Sequence, residues 1–401
     1  MNLATAVAAL LPKFAQGSPP PSSLSPEPKA MAAACELGPR HAMLGRVGEV
    51  VKSSLVPIVR DIDDNNLYPA EVLRSLGAAG AYSAHVPTVS GGRPDLVAAI
   101  EAMAIAGREC LSTAFCMWCQ STLAWYVENT DNAALKARFA PLVAGGTMLG
   151  GTGLSNPMKA LFEIERFKLK ATRTADGYVV RGALPWVSNL GPDHAFGTIF
   201  EVEEEGLPTK RVMALVPCNH PGVSLVSSGE HLALDGTGTY AVQFRDAVFG
   251  PDLVLADPAE PFVRKVRQGF ILLQMGMAIG VIRGCIDIQR RMQTSLGHVN
   301  CFLDDQPDQL EAELETLLSE VRELAESPYD ESGGRWRRVL EARLLASHLS
   351  LRAAQAAMLF SGARGYVKAG AAQRRLREAY FVAIVTPATK QLRKMLSEIP
   401  A

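Results

Sequence analysis

The chain has 401 residues, a formal net charge of −1 and a hydrophobic content of 48%. These values are typical of a globular protein large enough for two or three domains. They exclude the whole-chain basic field that draws a protein to nucleic acid or to an anionic membrane. The chain has seven cysteines, an odd number without dense spacing, which favours a reducing compartment, and the N-terminus lacks the pattern of a signal peptide. We therefore expect a cytoplasmic protein with no membrane or nucleic-acid partner.

The first third of the chain predicts an arm followed by a helical domain. Residues 17–29 are rich in proline and serine, and they form no regular element because proline removes backbone donors. We assign residues 1–43 to this arm and expect it to be mobile, with packing on a neighbouring subunit as the alternative. In residues 44–146 apolar residues recur at helical spacing. The almost wholly apolar residues 111–127 predict a helix buried on several faces.

The middle and the end of the chain differ in character. Residues 147–260 contain short β-rich runs separated by turn residues, which predicts a β domain with sandwich or barrel architecture. Residues 261–401 return to helical patterns interrupted by short turns. The predicted fold class is therefore α+β. The longest apolar run, residues 270–282, is too short to span a bilayer and predicts a buried helix.

Two short segments within residues 147–189 are the best candidates for a ligand site. The first, Thr152-Gly-Leu-Ser-Asn-Pro157, is rich in small and hydroxylated residues, and the second, Pro185-Trp-Val-Ser-Asn189, places Trp186 beside Ser188. A flat polar heterocycle needs this combination of close backbone approach, hydroxyl hydrogen bonds and an aromatic wall. A tryptophan buried between hydrogen-bonded loops would give the same pattern, so both interpretations stay open at this point.

Other patterns carry less information about function. Cys116-Met-Trp-Cys119 has the spacing of a thiol redox pair, but its apolar surroundings favour two core cysteines. The seven histidines are scattered, and we predict no metal site. The C-terminal region is locally basic, which is typical of a solvated helix face. A phosphate-binding site is the second interpretation of this region, and a nucleic-acid site is the third.

Several short strings occur in the order found in one known family. Between residues 44 and 399 they are His85-Val-Pro-Thr-Val-Ser-Gly-Gly92, Leu154-Ser-Asn-Pro157, Leu184-Pro-Trp-Val-Ser-Asn189, Phe244-Arg-Asp-Ala-Val248, and Ser361-Gly-Ala-Arg-Gly-Tyr366 followed by Leu376-Arg-Glu-Ala379. Together with the order of the domains, they resemble the acyl-CoA dehydrogenase superfamily of flavoproteins. The resemblance implies an N-terminal helical domain (44–146), a middle β-barrel or sandwich domain (147–260) and a C-terminal four-helix bundle (261–401). It also implies a homodimer or homotetramer.

The resemblance further implies FAD as the cofactor. The implied contacts form three groups: Thr152, Leu154 and Ser155 at the pyrimidine edge of the flavin ring, Trp186 and Ser188 against the ring with the Ser188 hydroxyl near N5, and Gly362 and Gly365 near the adenosine end across a subunit interface.

The residues that would decide the reaction depart from the family pattern. Thr386 stands where the family's acyl-CoA dehydrogenases have the glutamate that abstracts the α-proton, and threonine is no general base near neutral pH. The Asp-x-x-Arg of many relatives appears as Gln268 and Ile271. We keep Thr386 as the catalytic position implied by the resemblance. A base would then have to come from elsewhere, and the candidates are Glu109, Asp235 and Glu378.

Three hypotheses for function follow. The first is FAD-dependent α,β-dehydrogenation of an acyl thioester, bound to coenzyme A or to a carrier protein, with a flavoprotein as electron acceptor. The second is a flavin-dependent monooxygenase that uses oxygen on a small-molecule substrate and needs no α-proton base. In that case Ser188 or Thr386 would supply a hydroxyl, and His85 or His298 would handle protons. The third is a catalytically degenerate member that only binds.

Overall fold

The computed structural model describes residues 38–203, residue 206 and residues 208–399. The proline-rich segment 17–29, and with it the prediction that the arm is mobile, lies outside the described residues. Within the described part the chain passes from helices to a sheet and back to helices. This order confirms the predicted α+β fold class.

The N-terminal part of the chain is helical, and one of its helices is buried on all sides. The helices are α1 (Pro39–Val50), α2 (Val59–Asp64), α3 (Ala70–Ala78), α4 (Pro87–Ser90), α5 (Leu96–Glu109), α6 (Leu111–Asn129) and α7 (Ala133–Ala144). Every residue of α6 except Glu128 is buried, because its apolar residues cover all faces of the helix. Its Gln120 is satisfied internally, donating to the carbonyls of Val143 and Met148 and accepting from the Gly150 amide. The predicted buried helix is confirmed.

The middle of the chain forms one mixed sheet. Its elements are β1 (Gly150–Thr152), the short helix α8 (Ser155–Leu161), β2 (Leu169–Thr174), β3 (Gly177–Val187), β4 (Ala195–Val202), β5 (Lys210–Pro217), β6 (Val223–Ser227), β7 (Tyr240–Phe249) and β8 (Val254–Ala256). The strand order is β6-β7-β3-β2-β4-β5-β8, and β1 pairs with β4 in parallel. A Cβ atom on Gly150 would lie 1.9 Å from the Ala195 carbonyl oxygen, so only glycine permits this pairing.

The C-terminal helices form the predicted bundle. They are α9 (Ala259–Leu273), α10 (Met275–Asn300), α11 (Pro307–Ala325), α12 (Arg335–Ser361), α13 (Ala371–Ile384) and α14 (Thr389–Glu398), and α10 to α13 pack against one another. The segment Ala259–Asn300 is long and apolar enough to cross a membrane, but 94% of its most apolar window is buried inside the protein. It packs on α5, where Gly280 faces Gly107 so closely that a Cβ on Gly280 would lie 2.6 Å from the Gly107 backbone.

A cluster of buried charges joins the bundle to the N-terminal helices. Glu378 of α13 accepts hydrogen bonds from Arg374 (2.8 Å), from Arg375 (2.6 Å) and from the Leu111 amide at the start of α6 (3.1 Å). The two arginines also donate to carbonyl oxygens in the last turn of α5, including that of Glu109 (2.8 Å). The charges therefore match the helix ends they meet, with a carboxylate at an N-terminus and guanidinium groups at a C-terminus. We call these three residues the charged clasp.

The clasp corrects one sequence-based prediction. Glu378 was a candidate base, but its side chain is 3% exposed and both of its carboxylate oxygens are occupied by the clasp. Burial alone would raise the pKa of this carboxyl. Arg375, Arg374 and the Leu111 amide outweigh burial and lower the pKa from its ordinary value of 4.5. Glu378 is thus an ionised structural group and not a proton acceptor.

Replacing Glu378 by glutamine should destabilise the fold by roughly 3–5 kcal/mol, because two buried guanidinium groups would lose their counter-charge. The Glu341→Gln variant is the control: it removes an exposed pair with Arg337 and should cost less than about 1 kcal/mol. Urea unfolding at pH 7 measures both values. Since the pKa of Glu378 is lowered on folding, its contribution should be present above pH 4.5 and lost as the pH falls below that value. Equal costs for the two variants would contradict the clasp.

Candidate functional site

A cavity of about 1020 Å³ lies between the sheet and the C-terminal helices. Its inner wall is aromatic: Phe115 stacks on Trp118 at a centroid distance of 5.7 Å and meets Phe381 edge-on at 4.6 Å, while Trp118 meets Phe270 at 5.2 Å. These rings come from α6, α9 and α13, and the clasp ties α13 to the start of α6. A pocket of this size and character suits a flat organic ligand.

Trp186 forms the opposite wall. It lies at the end of β3, where its neighbours Leu184 and Val187 point into the core, and it is 57% exposed in a position that lines the cavity. Its exposed ring surface therefore faces the space of the cavity and is available to a ligand. Of the two interpretations left open by the sequence, the tryptophan buried between loops is therefore wrong, and the open aromatic wall is the observed arrangement.

Hydroxyl groups surround this wall. Thr152 at the end of β1 shares a hydrogen bond with Tyr126 (2.9 Å), and Ser155 at the start of α8 shares one with Thr386 (3.0 Å). Thr152, Ser155, Ser188 and Thr386 all line the cavity. The structure thus brings together five of the eight predicted site residues, the fifth being Trp186, while their individual roles stay predictions.

Leu154 precedes Ser155 in the chain but does not line the cavity, since its side chain is 2% exposed and faces the core. Only its backbone could serve a ligand.

Two further residues with hydroxyl groups at this site, Thr237 and Thr239, were missed in the sequence. Ser188 and Thr239 are 2.6 Å apart between hydroxyl oxygens, Thr239 and Thr237 are 2.8 Å apart, and the Thr237 hydroxyl donates to the Leu234 carbonyl at 2.7 Å. Ser188, Thr237 and Thr239 all line the cavity. The signal available in the sequence was the pair of threonines two residues apart directly before β7.

The Thr386 backbone is bonded to Gln274, which in turn is bonded to a buried cation, Arg343. Gln274 donates its side-chain amide to the Thr386 carbonyl oxygen (2.8 Å) and accepts a hydrogen bond from Arg343 (2.7 Å). Arg343 is 1% exposed, its other donors go to Ser347 and to the Val382 carbonyl, and no described carboxylate pairs with it. Burial lowers the pKa of this guanidinium to about 10, so it keeps its charge at neutral pH. An uncompensated positive charge therefore stands one side chain behind the cavity wall.

The predicted bases do not reach the cavity. Glu378 belongs to the clasp, Glu109 is absent from the cavity lining, and Asp235 is engaged with the His231 ring at 2.7 Å. Among the described residues, Glu165 is the only carboxylate on the cavity wall, where it accepts from the Asn156 amide at 2.9 Å. Glu109, Asp235 and Glu378 are thus wrong as candidates in this structure, because none of them lines the site.

Comparison with known proteins identifies the family. The family model for the acyl-CoA dehydrogenase N-terminal domain matches residues 40–147. The mitochondrial short-chain specific acyl-CoA dehydrogenase of Homo sapiens is 25% identical over 362 residues, which cover 86% of each chain. The chain belongs to the acyl-CoA dehydrogenase superfamily. This confirms the predicted family. The curated relatives of the chain are acyl-CoA dehydrogenases, which confirms the predicted enzyme class, oxidoreductase.

Several solved structures share this fold. Butyryl-CoA dehydrogenase from Megasphaera elsdenii matches with a TM-score of 0.79 and 16% identity, over 90% of this chain and 98% of that one. The dibenzothiophene monooxygenase TdsC from Paenibacillus sp. A11-2 matches with 0.74 and 17%, over 88% and 95%. A glutaryl-CoA dehydrogenase from Mycobacterium smegmatis, in complex with FADH2, matches with 0.70 and 16%, over 90% and 95%.

The remaining predicted contacts of this acyl-CoA dehydrogenase superfamily member lie elsewhere. Gly362 and Gly365 sit in the single turn that follows α12, outside the cavity lining, and Gly362 has a positive φ of 53°. Tyr366 in the same turn is 88% exposed. The role predicted for the two glycines needs a second subunit, so it stays a prediction.

The two histidines proposed as proton carriers are not placed for that task. His85 is fully buried, its Nε2 donates to the Ser121 carbonyl at 2.8 Å, and burial lowers its pKa to about 4. His298 is exposed on α10, and neither histidine lines the cavity. The structure therefore contradicts this part of the monooxygenase hypothesis, because both rings lie away from the site.

The burial of His85 should make stability depend on pH. Since its pKa falls from 6.5 to about 4 on folding, protonation favours the unfolded chain, and stability should drop as the pH falls below 6.5. Between pH 8 and pH 5 the loss should be about 2 kcal/mol. Urea unfolding at both pH values checks this, and His85→Gln should show a smaller difference than the exposed-site control His298→Gln. A wild-type protein equally stable at the two pH values would contradict the neutral buried ring.

Proposed function

We propose that the protein is an FAD-dependent oxidoreductase of the acyl-CoA dehydrogenase type. The observation that carries this proposal is the exposed Trp186 surface, flanked by hydroxyl groups, inside a cavity of about 1020 Å³. Ligand pockets commonly measure about 300–1,000 Å³, so there is room for a flavin ring together with part of a substrate. The residues present fit the ring, since they offer a flat apolar surface and short polar groups at its border.

The chain's own residues would bind and orient both reactants. Trp186 would cover one face of the ring, while Thr152, Ser155 and Ser188 would hydrogen-bond its polar edge. The aromatic wall that includes Phe115 would hold the substrate and exclude water, which strengthens every polar interaction inside the cavity. When bound, FAD supplies the capacity to accept a hydride from a substrate carbon.

The first candidate reaction is α,β-dehydrogenation of an acyl thioester bound to coenzyme A or to a carrier protein, with a flavoprotein as electron acceptor. The similarity to short-chain acyl-CoA dehydrogenase over 86% of both chains supports it. Lys159, Lys390 and Arg393 on the cavity wall suit the phosphates of such a substrate. Glu165, as the only carboxylate on the described wall, would be the group that removes the α-proton.

The second candidate reaction is flavin-dependent monooxygenation of an apolar small molecule. It is favoured by the pairing of Thr386 with Ser155 at 3.0 Å, which puts two hydroxyl groups where the family pattern places a carboxylate. Monooxygenation needs no α-proton base, and the uncompensated charge of Arg343 behind Thr386 would stabilise negative charge in the cavity. Oxygen would then be the electron acceptor.

We also propose a cytoplasmic homodimer or homotetramer. Phe302 is 86% exposed, Tyr366 88% and Leu359 55%, and these residues lie at the ends of α10 and α12 and in the turn after α12. Apolar side chains exposed to this degree favour burial against another subunit.

Flavin content is the first test. The purified protein should be yellow or should bind added FAD, and protein and flavin should be found in equal amounts after release of the cofactor. Anaerobic acyl-thioester substrate should bleach the flavin if the reaction is dehydrogenation. Oxygen consumption that requires a separate supply of reduced flavin supports monooxygenation. A protein that binds neither FAD nor FMN would be a degenerate member, and both candidate reactions would fail.

Substituting Glu165 separates the two reactions. If Glu165 removes the α-proton, Glu165→Gln should lower kcat for a thioester substrate by about 10²–10⁴-fold, whereas monooxygenation should be retained. Glu163→Gln is the matched control, because Glu163 is an exposed carboxylate two residues away that does not line the cavity. Stopped-flow flavin reduction measures the rates. Thioester oxidation at the wild-type rate in Glu165→Gln would remove Glu165 from the mechanism.

A further inference from the structure

The three-hydroxyl chain of Ser188, Thr239 and Thr237 has a fixed direction. A hydroxyl has one proton to donate, and a carbonyl oxygen can only accept. Thr237 donates to the Leu234 carbonyl at 2.7 Å, so its oxygen must accept from Thr239. Thr239 has then used its proton, and it must accept from Ser188 at 2.6 Å. The Ser188 proton is therefore committed away from the cavity.

The surroundings keep this order in place. Thr237 is 1% exposed, and its carbonyl oxygen accepts a hydrogen bond from the Asn189 amide at 2.9 Å. The backbone of Asn189, the residue after Ser188, is thus bonded directly to Thr237, in addition to the link through Thr239. Reversing the chain would leave the Leu234 carbonyl without its donor, which costs free energy in a buried place.

We propose that this chain makes Ser188 a hydrogen-bond acceptor only, so that the cavity prefers a ligand group carrying an N–H or O–H at this point over one presenting a bare lone pair. A bare acceptor facing Ser188 would meet oxygen lone pairs with no proton between them. Thr237 and Thr239 affect the ligand indirectly, by fixing the direction of the Ser188 hydroxyl, and they are therefore positioning residues. The chain thus selects the protonation state of what binds.

For the proposed cofactor the preference has a redox consequence, which rests on the proposed function. Oxidised FAD takes up two electrons and two protons to give the fully reduced form, and a ring nitrogen that was an acceptor becomes an N–H donor. An acceptor-only Ser188 binds the reduced ring better than the oxidised ring. Tighter binding of the reduced form raises the midpoint potential of the bound flavin.

The decisive experiment measures the potential of the bound flavin in variants of Thr237. In Thr237→Val the anchor is lost, Thr239 can donate to Ser188, and Ser188 can donate to the ligand. We expect the ratio of the affinities for reduced and oxidised FAD to fall about tenfold, which for a two-electron couple lowers the midpoint potential by about 30 mV. Thr237→Ser keeps the hydroxyl and should keep the wild-type potential.

Two further variants separate the direction of the chain from its packing. Ser188→Ala removes the acceptor, so adding Thr237→Val to it should change the potential no further, as a double-mutant cycle would reveal. Ser228→Ala is the matched control, since its hydroxyl bonds the Thr239 carbonyl and does not line the cavity, and its potential should equal that of the wild type. If Thr237→Val does not fold, Thr239→Val frees the Ser188 proton in the same way.

The outcomes are distinguishable. Wild-type protein that binds FAD in neither oxidation state overturns the proposed function and this inference with it. Bound FAD whose potential is unchanged or higher in Thr237→Val and Thr239→Val overturns the inference and leaves the proposed function standing. If Thr237→Val shifts the midpoint potential equally in the wild type and in the Ser188→Ala variant, packing and not the hydroxyl direction is the cause. That result also overturns the inference.

Discussion

The charged clasp is the interaction on which the site depends. Glu378 and its two arginines cover the end of α5 and the start of α6, where backbone carbonyl and amide groups would otherwise be left without partners in the core. The same helix, α13, ends directly before the segment that contains Thr386. The clasp therefore helps to position the hydroxyl wall around Thr386 relative to the aromatic wall on α6, although none of its three residues lines the cavity. A change that weakens the clasp is therefore expected to affect both the stability of the fold and the geometry of the site.

The sequence was sufficient for the fold and for the side chains that form the cavity wall on the sheet. Trp186, Ser188 and Ser155 belong to short sequence strings at the end of a strand or the start of a helix. Such local strings can be recognised in the sequence without knowledge of the tertiary structure. Glu378 could not be assigned in this way, because its partner amide lies 267 residues away along the chain. From the sequence alone, a carboxylate that deprotonates a substrate and one that caps a buried helix look identical.

Thr237 and Thr239 were missed for a related reason. Their importance comes from the pairing of β3 with β7, in which Val187 stands opposite Tyr240 and so brings Ser188 beside Thr239. Strand register depends on the packing of the whole sheet, and neither strand contains it alone. The cavity therefore holds two kinds of hydroxyl group. Ser155 and Thr386 can exchange donor and acceptor roles, whereas the Ser188 chain is anchored at a carbonyl and has one direction.

The burial of α6 also limits how this protein can adapt. Its residues face the cavity on one side and α5, α7, α9 or the sheet on the others, so no face is free to accommodate a change of side-chain size. A different substrate shape is more easily admitted at the end of α13 and in its connection to α14, because Ile384, the last residue of α13, is 64% exposed and also lines the cavity. Diversification of substrate range within this fold should therefore concentrate in that connection, while the helix that forms the inner wall stays nearly invariant.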